Sequence, residues 1–76
     1  MTSRHTVPTS YTDGPYRLVR FRLLSGYAIQ DTRVRGRYAW TEPNPVTGRP
    51  MALRFPLSEA LAKMHAAARE EYRPHL

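Results

Sequence analysis

The sequence contains no cysteine, which excludes disulfide bonds, thiolate catalysis and thiolate metal sites. It also has no apolar run near the about 20 residues that a membrane-spanning helix needs, and no apolar signal-peptide segment near its N-terminus. Acidic residues are few, with 6 Asp+Glu against 12 Lys+Arg in 76 residues, so the formal net charge is +6. These features predict a cytoplasmic protein whose partner is nucleic acid or an acidic protein surface, and not a membrane.

The length allows one small domain, which favours a flat binding surface over a deep catalytic cleft. The histidines are not spaced as metal ligands, and no two carboxylates are paired as a general acid and base would be. No glycine-rich phosphate loop or serine-nucleophile motif is present. We therefore expect a protein that is not an enzyme and that uses no metal and no cofactor.

Residues 1–15 are polar and contain two prolines and an Asp-Gly turn signal, so we expect a flexible arm there. Residues 16–76 are expected to form a single small β-β-β-α domain. Apolar and polar residues alternate in three segments, which predicts strands at 16–24, at 27–41 with a bulge near residues 31–32, and at 51–55. The segment 42–50 is rich in proline and turn residues and predicts a long hairpin loop.

Ser58 is a suitable helix N-cap, and apolar residues follow it at spacings of three and four: Leu61, Met64, Ala68 and Tyr72. This pattern predicts a helix over 59–72. The expected fold class is therefore α+β, with a three-stranded antiparallel sheet and one C-terminal helix packed on one face. The alanine-rich helix side leaves it open whether a second copy also packs there, as a homodimer.

Eleven of the twelve basic residues are arginine, and nine of these precede Ser58. The strand pattern predicts a helix-facing side formed by Val19, Phe21, Val34, Tyr38, Trp40, Leu53 and Phe55. The opposite, open side would carry Arg20 and Arg22 from the first strand and Arg33, Arg35 and Arg37 from the second. Together with Arg54 of the third strand, these arginines are the predicted binding residues.

A guanidinium makes two parallel hydrogen bonds, which suits phosphate groups and the guanine edge better than an ammonium does. An arginine-covered sheet side therefore predicts binding to nucleic acid. The alternative interpretation is that arginine-rich codon usage supplied the side chains and that they only keep an exposed face soluble.

Three short motifs carry a family resemblance: Gly36-Arg37-Tyr38-Ala39-Trp40, Pro45-Val46-Thr47-Gly48-Arg49, and Leu57-Ser58-Glu59-Ala60. Over about residues 33–68 their succession resembles the amino-terminal arm-site DNA-binding domains of phage integrases, which are similar to plant AP2 domains. The resemblance implies three antiparallel strands with a helix behind them, and basic strand residues in the major groove. Because no integrase catalytic domain follows, it implies an accessory or regulatory protein of a phage or mobile element.

A second hypothesis is a small inhibitor of the kind that mobile elements encode, such as an anti-CRISPR or other anti-defence protein. The arginines would then dock on an acidic protein surface, or the segment 42–50 would enter a cleft of the target. Salt-sensitive binding to nucleic acid favours the first hypothesis, and a stoichiometric protein partner that survives nuclease treatment favours the second.

Overall fold

The computed structural model describes residues 6–71, except for the side chain of Glu71. The elements follow one another along the chain as β1 (Thr6–Asp13), β2 (Tyr16–Phe21), β3 (Tyr27–Asp31), β4 (Thr41–Pro43), β5 (Pro50–Ala52) and α1 (Leu57–Glu71). β1, β2 and β3 form one antiparallel sheet in chain order, and α1 packs against all three strands. The predicted α+β class, a three-stranded antiparallel sheet with one C-terminal helix, is confirmed.

The strands of this sheet are not the three that were predicted. β1 lies in the segment expected to be a flexible arm, of which residues 1–5 lie outside the described part of the chain. Its threonines and tyrosine favour extended backbone, and Gly14, with φ 58°, turns the chain into β2. The predicted third strand at 51–55 is not in the sheet, because β5 pairs with β4 in a separate hairpin.

β1 pairs irregularly with β2. The register shifts between Pro8 and Thr12, so residues 9–11 all lie opposite Leu18. The Thr9 hydroxyl donates to the Leu18 carbonyl oxygen at 2.6 Å and accepts from the Tyr11 amide at 3.2 Å. A side chain thus satisfies backbone groups that regular pairing would have satisfied, which is how a bulge is held in an edge strand.

The core between sheet and helix consists of Tyr16, Leu18, Ile29, Ala60, Met64 and Ala68. The prediction that Val19 and Phe21 face the helix was wrong. Leu18 is paired with Ile29, and the helix covers this pair, while Val19 is paired with Ala28 on the other side of the sheet. Apolar residues occupy both sides of β2, so the alternation of its sequence is compatible with either side facing the helix. The sequence therefore did not determine which side meets the helix.

The other residues that were predicted to face the helix differ in their packing and burial. Trp40 and Phe55 do pack against the core, with their rings edge to face and their centroids 6.4 Å apart. Lys63 of α1 places its ammonium 4.9 Å from the centroid of the Phe55 ring, and thereby covers the aromatic pair. Val34 is 46% exposed and belongs to no strand.

The centre of the sheet is covered on both sides. Leu18 and Val19 are neighbours on β2 and therefore point to opposite sides, yet both are buried, as are Ala28 and Ile29 on β3. Tyr38 forms an isolated bridge with Gln30 at the edge of β3, and on the side away from α1 its ring packs near that of Phe21, with the two ring centroids 6.3 Å apart. The expected open sheet side is therefore not present at the centre of the sheet.

The outer edge of β3 is closed by two later segments. At one end Tyr27 and Phe55 exchange both backbone hydrogen bonds, each 2.8 Å long. At the other end the Asp31 amide donates to the Arg37 carbonyl oxygen at 2.9 Å, and the Ala39 amide donates to the Ile29 carbonyl oxygen at 2.8 Å. These bonds satisfy edge groups of β3 and fix the segments before and after the β4–β5 hairpin.

The helix begins earlier than predicted. α1 starts at Leu57, and the Ala60 amide donates to the Pro56 carbonyl oxygen at 2.8 Å, so Ser58 lies inside the first turn and is not the N-cap. Its buried stripe contains two alanines and Met64, which lets the helix lie close to the sheet. Tyr72, the last residue of the predicted stripe, lies outside the described residues.

Candidate functional site

The six arginines predicted to bind the partner lie in two groups at opposite ends of β3. One group follows β3 in a turn at 32–37, and the other lies where β2 passes into β3 and at the end of the segment after β5. The first group comprises Arg33, Arg35 and Arg37, and the second comprises Arg20, Arg22 and Arg54. The strand predicted for 27–41 ends at Asp31, so the alternation of arginines beyond it marks no common side of a sheet.

Local hydrogen bonds turn the chain at Asp31. Its carboxylate accepts from the Arg33 amide at 3.1 Å, and its carbonyl oxygen accepts from the Val34 amide at 3.3 Å. Gly36, with φ 75°, then lets the chain return to the edge of β3. An aspartate that bonds to the backbone two residues ahead offers an alternative to strand pairing, and here that alternative replaces the predicted strand.

The Asp31 carboxylate also binds the side chains of this turn. The Arg33 guanidinium donates to it from Nε at 3.0 Å and from Nη2 at 2.9 Å, and Arg37 Nε lies 3.9 Å away. Asp31 is only 3% exposed. The hydrogen bonds from Arg33 hold the pKa of Asp31 below its ordinary value, although burial opposes this. Two of the predicted binding arginines are therefore partly neutralised within the chain.

The second group, here called the loop-end arginines, consists of Arg20, Arg22 and Arg54. Arg20 lies opposite Tyr27, whose other neighbour is Phe55, and Arg54 precedes Phe55. The Arg54 guanidinium donates from Nη1 to the Ser25 carbonyl oxygen at 2.9 Å. All three side chains are exposed, and among the described residues no carboxylate forms an ion pair with them.

The loop at 22–26 carries two exposed leucines beside these arginines. Leu23 is 88% exposed and Leu24 is 53% exposed, whereas the pattern predicted that both belong to a strand. Gly26 has φ 91°, and a Cβ built on it would lie 3.1 Å from the Arg54 Cβ. The base of the loop thus packs closely against the segment after β5, with an apolar tip bordered by positive charge.

Two shallow pockets share Phe21, Met51 and Ala52 in their linings. One of them is also lined by Leu24, Glu42 and Arg54, and the other by Arg37 and Tyr38. Burial raises the pKa of the Tyr38 phenol, which remains neutral and available as a hydrogen-bond donor.

The β4–β5 hairpin ends in an ordered tip. The Asn44 side-chain oxygen accepts hydrogen bonds from the Val46 and Thr47 amides at 2.8 and 3.3 Å. The Asn44 main-chain carbonyl oxygen accepts from the Gly48 amide at 2.7 Å. Val46 at the apex is 90% exposed. The segment 42–50, predicted as a loop, is therefore a short hairpin with an internally bonded turn.

Other chemistry is sparse in the described part of the chain. No three His, Cys, Asp or Glu side chains within residues 6–70 are grouped as metal ligands. His65 Nδ1 and Asp13 Oδ2 are 2.5 Å apart and join α1 to the turn between β1 and β2. Arg17 Nε is buried without a hydrogen-bond partner, a feature that no sequence signal indicated. No helix in the described range is long and apolar enough to cross a membrane.

No family model matches the sequence, and no curated protein or solved structure is similar to the chain. The resemblance to integrase arm-site domains therefore stays a prediction, and any assignment of function rests on the geometry of the described residues.

Proposed function

We propose that the protein is a small non-enzymatic nucleic-acid-binding module, in an accessory or regulatory role in a phage or mobile element. One observation carries the proposal: Arg20, Arg22 and Arg54 lie at the loop end of the sheet, are exposed, and form no ion pair with a carboxylate of the described residues. Each guanidinium can donate two hydrogen bonds to a phosphate group. The ion pair between an exposed guanidinium and a phosphate is favoured by the release of counterions from the nucleic acid.

This mode of binding differs from the one expected of an open sheet. Because both sides of the sheet are covered at its centre, a flat sheet side is not offered to the major groove. The loop end of the molecule would contact the nucleic acid instead, with DNA favoured over RNA. Arg35 at the other end of β3 is exposed and would contribute to the long-range attraction only.

A salt titration of binding tests the proposal. Fluorescence anisotropy with labelled duplex DNA, single-stranded DNA and duplex RNA gives a dissociation constant at each salt concentration. For three phosphate contacts we expect the logarithm of the affinity for duplex DNA to fall with a slope of about −2.7 against the logarithm of the salt concentration. Absence of binding to all three ligands at low salt, or binding that salt does not weaken, would overturn the proposal.

The β4–β5 hairpin favours a second candidate function, a protein-binding inhibitor such as an anti-CRISPR or other anti-defence protein. Its ordered tip presents Val46 with little exposed charge beside it except Arg49. A preorganised apolar apex suits insertion into a cleft of a protein. A stoichiometric protein partner that is retained after nuclease treatment, lost on Val46→Asp and kept on Arg22→Ala would establish this function instead.

A further inference from the structure

Two leucines within one short segment have opposite environments. Leu18 is fully buried beneath α1, whereas Leu23, five residues later, is 88% exposed at the tip of the loop. The fold therefore gains nothing from the Leu23 side chain. Arg22 precedes Leu23 in the chain, and Arg54 binds the Ser25 carbonyl oxygen of the same loop, so an exposed apolar side chain lies near groups that attract an anion.

The loop that carries Leu23 is held at its base. Tyr27 and Phe55 exchange two backbone hydrogen bonds there, and the Arg54 guanidinium binds the Ser25 carbonyl oxygen. Gly26 packs so closely against Arg54 that a side chain would have to displace it. The base of the loop is consequently preorganised, which lowers the entropic cost of using the loop in binding.

We propose that Leu23 enters a base step of duplex DNA from the minor groove, while the loop-end arginines contact the groove and its flanking phosphates. The inference rests on the proposed function and names its ligand. Leucine is among the side chains that partly unstack base steps in this way, and arginine is the residue that a narrow minor groove attracts. Such insertion needs a narrow projecting tip, and it does not require a flat protein surface.

The charge of the site favours duplex DNA over a lipid surface. Eleven of the twelve basic residues of the chain are arginine, whose planar fork suits groove and phosphate contacts. Stable attachment to a bilayer requires more buried apolar surface than two leucines provide, and the described helix carries its apolar stripe against the sheet.

The test compares Leu23→Ala with Val46→Ala, since Val46 is equally exposed on a different tip. The probe is a duplex with 2-aminopurine at a central TA step, a flexible step flanked by A-tracts, and with a fluorophore pair at its ends. Wild-type protein is expected to brighten the 2-aminopurine and to shorten the end-to-end distance. Leu23→Ala should abolish both signals and weaken binding by about tenfold or more, whereas Val46→Ala should match wild type.

Three results would overturn the inference. If wild type binds in a salt-sensitive manner but Leu23→Ala binds and brightens the probe equally, the insertion of Leu23 is wrong and the proposed function stands. If Leu23→Ala loses binding to vesicles that contain phosphatidylserine while DNA binding is unchanged, the leucine serves a lipid surface. If wild type binds no nucleic acid, the proposed function and the insertion of Leu23 both fail.

Discussion

The Arg33 guanidinium and the Asp31 carboxylate form a two-point ion pair, with Nε 3.0 Å from Oδ1 and Nη2 2.9 Å from Oδ2. This pair ends β3 and directs the chain into the turn that follows. An arginine that the sequence pattern groups with binding residues is therefore part of the structural framework. The difference between such an arginine and an exposed one determines which of the candidates are available to a ligand.

Asp31→Asn is predicted to lower the free energy of unfolding at neutral pH by about 1–3 kcal/mol, because a buried acceptor of charged hydrogen bonds is lost. The folded pKa of Asp31 is lowered, so its contribution is present above the unfolded value of about 3.9 and is lost as the pH falls through the folded pKa. Urea unfolding of wild type and Asp31→Asn at neutral pH and in acid well below the unfolded pKa measures this loss. If wild type and Asp31→Asn differ equally in free energy of unfolding in both buffers, the charge of Asp31 is not the source of the difference. Arg35→Ala, in the same turn, serves as a control that should leave stability nearly unchanged.

Leu18→Ala and Leu23→Ala are predicted to differ sharply in stability. Leu18 of β2 is fully buried beneath α1, so its truncation should cost about 2–5 kcal/mol. Leu23 is exposed, and its truncation should change stability by less than about 0.5 kcal/mol. Chemical denaturation of both variants tests whether the buried part of this segment ends before Leu23. Similar losses for the two variants would mean that the loop packs against the rest of the chain.

Much of the fold was predictable because short-range chemistry determines it. The spacing of Met64 and Ala68 indicated the helix, and Ser25-Gly26 indicated the turn between two strands. β1 was missed because an edge strand buries little, so its polar sequence resembles an arm. The last predicted strand was placed in the wrong sheet because pairing between distant segments depends on tertiary contacts and not on alternation.

The candidate site was less predictable than the fold. Periodicity grouped the arginines by their position on an assumed strand, but the Asp31 hydrogen bonds end that strand. Arg54 and Ser25 are 29 residues apart in the sequence, and no pattern indicates that they meet. Exposed leucines inside an apolar run cannot be recognised before the end of the strand is known, so Leu23 and Leu24 were assigned to the sheet.

His65 and Asp13 are predicted to couple the helix to the turn between β1 and β2. Their side chains are part exposed, so a double-mutant cycle of His65→Ala and Asp13→Ala should give a coupling of about 0.2–1 kcal/mol. A coupling of zero would show that the close approach of the two side chains contributes nothing to stability.

The loop-end arginines, and not exposed arginines in general, are predicted to contact nucleic acid. The most direct measurement compares the salt dependence of duplex DNA binding for Arg20→Ala/Arg22→Ala with that for Arg35→Ala/Arg49→Ala. Each variant removes two exposed arginines that form no ion pair among the described residues, so the change in net charge is the same. The account predicts that the first variant reduces the slope by about 1.8 and that the second leaves it unchanged. Equal reductions in both variants, or a reduction only in the second, would contradict the account.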